Sequence, residues 1–134
     1  MDDWMTVFGS HLYSGVHIAA AETEEMGIRE AAAANGLDCI AIGLRDVVDK
    51  TGFLSAVATA LRFPAYFGMN WDALHDCLTD LSWQPAAGYV LYFAAFRTFA
   101  EADGADADIA NHVLQSAADF WRENEVPFFA VLAA

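Results

Sequence analysis

Basic residues are scarce in this sequence. Six Lys and Arg stand against nineteen Asp and Glu, giving a formal net charge of −13 over 134 residues. A surface built for nucleic acid or an anionic membrane neutralises phosphate with Lys and Arg, so neither is expected as a direct partner. Long apolar runs are also missing. The longest, 89–96 and 126–134, fall well short of the roughly 20 residues that span a bilayer. The start, Met1-Asp2-Asp3-Trp4, has neither the basic opening nor the apolar stretch of a secretory signal, so a cytoplasmic location is expected. The two cysteines, Cys39 and Cys77, are then expected as reduced thiols. A bond between them would need α-carbons within about 7 Å, which sequence leaves open. There is no internal repeat, no low-complexity linker, and no Gly-x-Ser-x-Gly, Walker or dinucleotide loop.

What is present is an apolar chain of single-domain length. Hydrophobic residues make up 57%, which excludes disorder for the whole chain. A chain of this size buries roughly two thirds of its unfolded surface, enough to fold without a disulfide or metal. Residues 89–93 and 127–132 are continuously apolar and read as strands buried on both faces. Residues 38–44 are a third candidate strand and 15–19 a weaker fourth. Helices are expected at 23–35, stopped by Gly36, and at 49–61, capped by Asp49, with Phe53, Leu54, Val57, Ala58 and Leu61 at helical spacing. A short helix is expected at 70–81, capped by Asn70. A longer one at 107–124 carries Ile109, Val113, Ala117 and Trp121 as its buried stripe. The small, acidic stretch 100–108 reads as loop. Strands alternating with helices predict an α/β layer with a mainly parallel sheet.

Within the short helix, Asp72, Asp76 and Asp80 lie four apart, which aligns three carboxylates along one helix face. Like charges at that spacing oppose the helix by about 0.2–0.5 kcal/mol per pair. No Lys or Arg occurs anywhere from Phe63 to Phe96 to offset them. Leu74, Cys77, Leu78 and Leu81 supply the opposite, core-facing edge. Aromatic residues frame the row: Tyr66, Phe67 and Trp71 before it and Trp83 after it, with Phe67 and Trp83 expected in the core and Tyr66 at the surface. A solvated helix face usually mixes charge signs. Carboxylates of one sign, framed by aromatics on a rigid element, suit contact with a cationic partner.

The run Phe63-Pro64-Ala65-Tyr66-Phe67-Gly68-Met69-Asn70-Trp71-Asp72-Ala73-Leu74-His75-Asp76-Cys77-Leu78-Thr79 resembles the signature of the barstar family, small intracellular inhibitors of barnase-type ribonucleases. A Pro-x-Tyr-aromatic-Gly turn is followed by Asn-x-Asp-Ala-Leu and then Asp-Cys-Leu-Thr. A weaker match at Val113-Leu114-Gln115 and the last strand extends the resemblance over about 37–132. It implies a barstar-like α/β fold of mainly parallel strands packed with helices, and a non-enzymatic inhibitor without cofactor or metal. It also implies that a helix plugs the active site of a barnase-type extracellular ribonuclease, or a similar basic nuclease, with its acids standing in for RNA phosphates. The family aspartates fall on Asp72 and Asp76, with Asp76 the expected centre. The family tyrosine falls on Tyr66, the loop-shaping glycine and asparagine on Gly68 and Asn70, and the threonine on Thr79. A family glutamate on the next helix falls on Asp119.

Departures from the family pattern are His75, where the family has tryptophan between the aspartates, Asp80 in place of glycine after the threonine, and Leu81 in place of the tryptophan that follows. His75 and Asp80 flank the expected contact surface and bear on which nuclease is bound. Residues 1–36 have no counterpart in the compact family pattern. They read as an extra strand–helix unit that would add an edge strand to the 37–134 core within one domain. Two other readings stay open on the residues alone. Asp72, His75 and Asp76 can be taken as metal ligands or an acid–base set, although no second ligand helix of suitable spacing is present. Alternatively, the chain is a barstar-like module for another basic nuclease, toxin or basic protein.

Overall fold

The structure, a computed structural model, describes residues 3–134. Its four strands follow from the apolar segments. They are β1 (Gly15–Ile18), β2 (Asp38–Gly43), β3 (Tyr89–Ala94) and β4 (Phe128–Leu132). All pair in parallel, in the order β1-β4-β3-β2. β3 and β4 are central, and their residues are buried from Tyr89 to Phe93 and from Phe128 to Leu132, as continuous apolar strands require.

The helices are α1 (Trp4–Val7), α2 (Glu25–Ala34), α3 (Lys50–Ala60), α4 (Trp71–Leu78), α5 (Phe96–Ala102) and α6 (Gly104–Glu123). Parallel strands need crossovers, and these are right-handed in nearly all proteins. The steps from β2 to β3 to β4 run one way across the sheet, and α3 to α6 build one core on that face. The crossover from β1 back to β2 runs the other way, and α2 lies on the opposite face, over Val90, Tyr92, Phe129 and Val131. The N-terminal segment therefore does more than add an edge strand: it closes the second face of the sheet. Ser14 fastens it, its buried hydroxyl accepting from the Phe128 amide at 3.0 Å.

Local signals explain the helix boundaries. Asp49 accepts from the Gly52 amide at 2.9 Å, and Gly36 adopts φ +71° just past the end of α2. Two sequence expectations fail here. The stretch 100–108 is helical apart from Asp103, shared by the end of α5 and the start of α6. Alanine is the best helix former, and Asp103 accepts from the Asp106 amide to cap α6, so small and acidic here means helix start rather than loop. The buried stripe of α6 is Ala107, Ala110, Leu114, Ala117 and Ala118, while Ile109 is 41% exposed and Val113 and Trp121 are half-buried. Four-residue steps advance about 40° around a helix each time, so Ile109 and Trp121 cannot share one core-facing line.

Candidate functional site

The candidate site is the outer face of α4 and the part of α6 beside it. Asn70 starts α4: its Oδ1 accepts from the Ala73 amide at 2.7 Å, and its Nδ2 donates to the Gly68 carbonyl at 3.2 Å. Such a cap contributes about 1 kcal/mol. A Cβ on Gly68 would lie 3.2 Å from Asn70 Nδ2, tight enough to push on the cap. Gly68 and Asn70 thus shape the loop that launches the helix. Inward, Leu74, Cys77 and Leu78 are buried. Trp71 lies against Phe53, with ring centroids 5.9 Å apart, and Lys50 Nζ sits 5.9 Å from the Trp71 ring. At the far end, Trp121 Nε1 donates to the Leu78 carbonyl at 2.8 Å. Both ends of α4 are held, and its outer side chains inherit a fixed frame.

That frame presents Asp72 and Asp76 to solvent one turn apart. Among the described residues the ion pairs are Arg29–Glu25 and Arg122–Asp119, so neither carboxylate of α4 is held in a salt bridge, while Lys50 lines the same groove as Asp72 and Asp76. Asp72 also sits in the first turn, where the helix dipole favours it. Asp80 departs from expectation. The helix stops at Leu78, Thr79 is the C-cap, and Leu81 turns back at φ +50° to bury its side chain. Asp80 is exposed beyond the helix, so the row on one helical face is two carboxylates, with the third displaced. Thr79 donates its hydroxyl to the His75 carbonyl at 2.8 Å and closes the last turn.

The other expected positions divide. Tyr66 is 73% exposed in the loop before α4. Phe67 and Trp83 pack on the core but are only partly buried, Trp83 donating Nε1 to the Leu61 carbonyl at 3.0 Å. His75 Nε2 is hydrogen-bonded to Ser116 Oγ at 3.0 Å, tying α4 to α6. Asp119 is held from two sides. Gln115 donates Nε2 to it at 2.9 Å, and Arg122 forms an ion pair with it at 2.9 Å. The Gln115 side-chain oxygen in turn accepts from the Val16 amide of β1 at 3.1 Å. Asp119 is therefore engaged in fastening the N-terminal strand.

Sequence reasoning missed the α6 wall of the site. Trp71, Asp72 and His75 face Ile109, His112 and Ser116 across a groove of about 290 Å³. Ile109, His112 and Ser116 recur at three- and four-residue spacing, a signal that the misphased stripe obscured. Burial raises the Cys77 thiol above its ordinary range, with Asp76 and Asp80 adding to the effect, and burial also raises Cys39. Both cysteines are free thiols. Their thiolates are disfavoured, which argues against nucleophilic chemistry at either. Among the described residues no group of three or more His, Cys, Asp and Glu is arranged to hold a metal ion.

No curated protein matches the chain. The family model described as Barstar (barnase inhibitor) matches residues 37–133. That span runs from the start of β2 through β4 and contains the capped acidic helix whole. The match covers well over half of the chain, and the protein belongs to the barstar family, a family of inhibitors rather than enzymes.

Proposed function

We propose that this protein is a cytoplasmic, single-domain inhibitor of a barnase-type ribonuclease, and that α4 enters the nuclease active site with Asp72 and Asp76 in the place of RNA phosphates. The observation that carries this reading is the pair of exposed carboxylates, free of salt bridges among the described residues, on a helix held at both ends. A ribonuclease must present cations to a polyanion. Carboxylates bound there gain net energy only when they are already in position, since ordering them and stripping their water both cost energy. The cap at Asn70 and the Trp121 bond fix the helix backbone during folding and so lower the ordering part of that cost, while the exposed carboxylates lose their water only on binding.

Tyr66, Gly68, Asn70, Thr79, His75 and Asp80 complete the proposed contact or shape it. Asp119 contributes less than the resemblance implies, because Arg122 already shares its charge. The net charge of −13 steers a cationic nuclease towards the chain, with association reaching about 10⁸–10⁹ M⁻¹s⁻¹ at low salt in favourable cases. A second reading keeps the helix and changes the target to another basic nuclease or toxin. It is favoured by the imidazole of His75, bonded to Ser116, where the family has a tryptophan.

Competition tests the proposed mode. A barnase-type ribonuclease preloaded with a non-cleavable deoxyoligonucleotide should bind this protein more weakly, in proportion to active-site occupancy. A ternary complex of undiminished affinity would contradict occupation of the active site.

A further inference from the structure

The two edges of the sheet are finished differently. At β1 the outward amide of Val16 is taken by the Gln115 side chain. At β2, the other edge, nothing comparable is present among the described residues. The Asp38 amide bonds the Gly88 carbonyl and the Leu44 amide bonds the Ala94 carbonyl, so the even-numbered residues of β2 face β3. Cys39, Ala41 and Gly43 therefore direct their amides and carbonyls away from the sheet. Unpaired backbone groups in register are a template for another strand.

The edge lies in a groove of about 450 Å³, polar rather than greasy, lined by Arg29, Cys39, Ala41, Arg62, Trp83 and Gln84. Two of the six basic residues of a strongly acidic chain are thus gathered along one strand. Arg29 belongs to α2, on one face of the sheet, and Arg62 follows α3, on the other. Arg62 is exposed and has no carboxylate partner among the described residues. Arg29 pairs with Glu25 through Nε, which leaves its terminal nitrogens available.

We propose that the outer edge of β2 docks an extended acidic peptide segment of another protein, which joins the sheet as a fifth strand. The backbone of Cys39, Ala41 and Gly43 supplies the ladder. Side chains of an added strand alternate between the two faces, so carboxylates an odd number of residues apart reach Arg29 and Arg62 together. The overall negative charge does not forbid this, because at physiological salt charges beyond about 8 Å are largely screened. Locally Arg62 is the charge left unpaired among the described residues, and Arg29, its charge shared with Glu25, contributes mainly the hydrogen-bond donors of its terminal nitrogens. A second copy of the chain is a poorer occupant, since it would bring another −13. The edge is separate from the acidic face of α4 and does not depend on the inhibitor reading.

The probe is a fluorescein-labelled peptide, Thr-Val-Glu-Glu-Val-Thr, with Thr-Val-Lys-Lys-Val-Thr as control, followed by anisotropy and by amide hydrogen exchange of the full chain. The acidic peptide should bind and slow exchange at Cys39, Ala41 and Gly43 by about tenfold or more, and the basic one should not. Arg62→Glu, an exposed change, should weaken binding by about tenfold or more. Ala41→Pro removes one outward donor at an edge, where proline is tolerated, and should abolish binding in protein that keeps its native circular dichroism. Nuclease inhibition, where measured, should be unchanged in both variants. The proposal is overturned if the acidic peptide leaves the three amides unprotected, or if Arg62→Glu binds it undiminished. Concentration-dependent protection of these amides without peptide would also overturn it, by assigning the edge to a second copy.

Discussion

Replacing Asp76 with alanine is expected to weaken the complex with a barnase-type ribonuclease by about 2–5 kcal/mol, roughly thirty- to several-thousand-fold, mostly through faster dissociation. That range is general for buried charge pairs, and nuclease–inhibitor complexes of this family helped to define it. The physical reason is asymmetric. Asp76 sits exposed on the outer face of α4, so in the proposed complex its loss would leave nuclease cations buried without a partner. Asp106, in the first turn of α6 and outside the proposed contact, should act through the long-range field alone. Asp106→Ala should change affinity by a few-fold at most, through the association rate, and the change should fade as salt rises. Surface plasmon resonance at two salt concentrations separates the rates. Equal losses for the two variants would show that the field of the whole protein, rather than the helix, supplies the affinity.

Phe53→Ala should be the most damaging single change to stability, at about 3–5 kcal/mol. Phe53 is fully buried on α3. Its ring stacks on Phe99 at 5.0 Å and on Phe93 at 5.9 Å, and meets Trp71 at 5.9 Å and Phe96 at 6.4 Å. One side chain thus joins β3, the start of α5 and the first residue of the acidic helix. Folded domains hold only about 5–15 kcal/mol in reserve, so this loss would leave a marginal protein. Urea unfolding followed by Trp fluorescence measures it. A loss below about 1 kcal/mol would mean that the aromatic cluster repacks around the gap and that α4 does not depend on it.

Features that are local in sequence were legible before the fold. Asn70 as a cap, Leu74, Cys77 and Leu78 as the inner edge of α4, and the uninterrupted apolar runs of β3 and β4 each need only their neighbours to be read. Features that depend on distant partners were not. Asp80 leaves the helix because Leu81 must turn inward to a core made by other elements. Asp119 is diverted by Arg122 and by a glutamine that serves a strand about a hundred residues earlier in the chain. Ser116 shares a helical spacing with Ile109 and His112, but its bond to His75 appears only once α4 and α6 are packed. The N-terminal segment was legible as a strand and a helix. That it covers the second face of the sheet follows from the reversal of winding direction, which requires the strand order.

The central claim is that the outer face of α4 stops a ribonuclease. The most direct measurement is RNA cleavage by a barnase-type ribonuclease titrated with this protein, with Asp76→Ala in parallel. The account predicts a linear loss of activity to zero at one inhibitor per nuclease, and no comparable loss with the variant at the same concentrations. Full activity in the presence of excess folded wild-type protein, or equal inhibition by the variant, would contradict it.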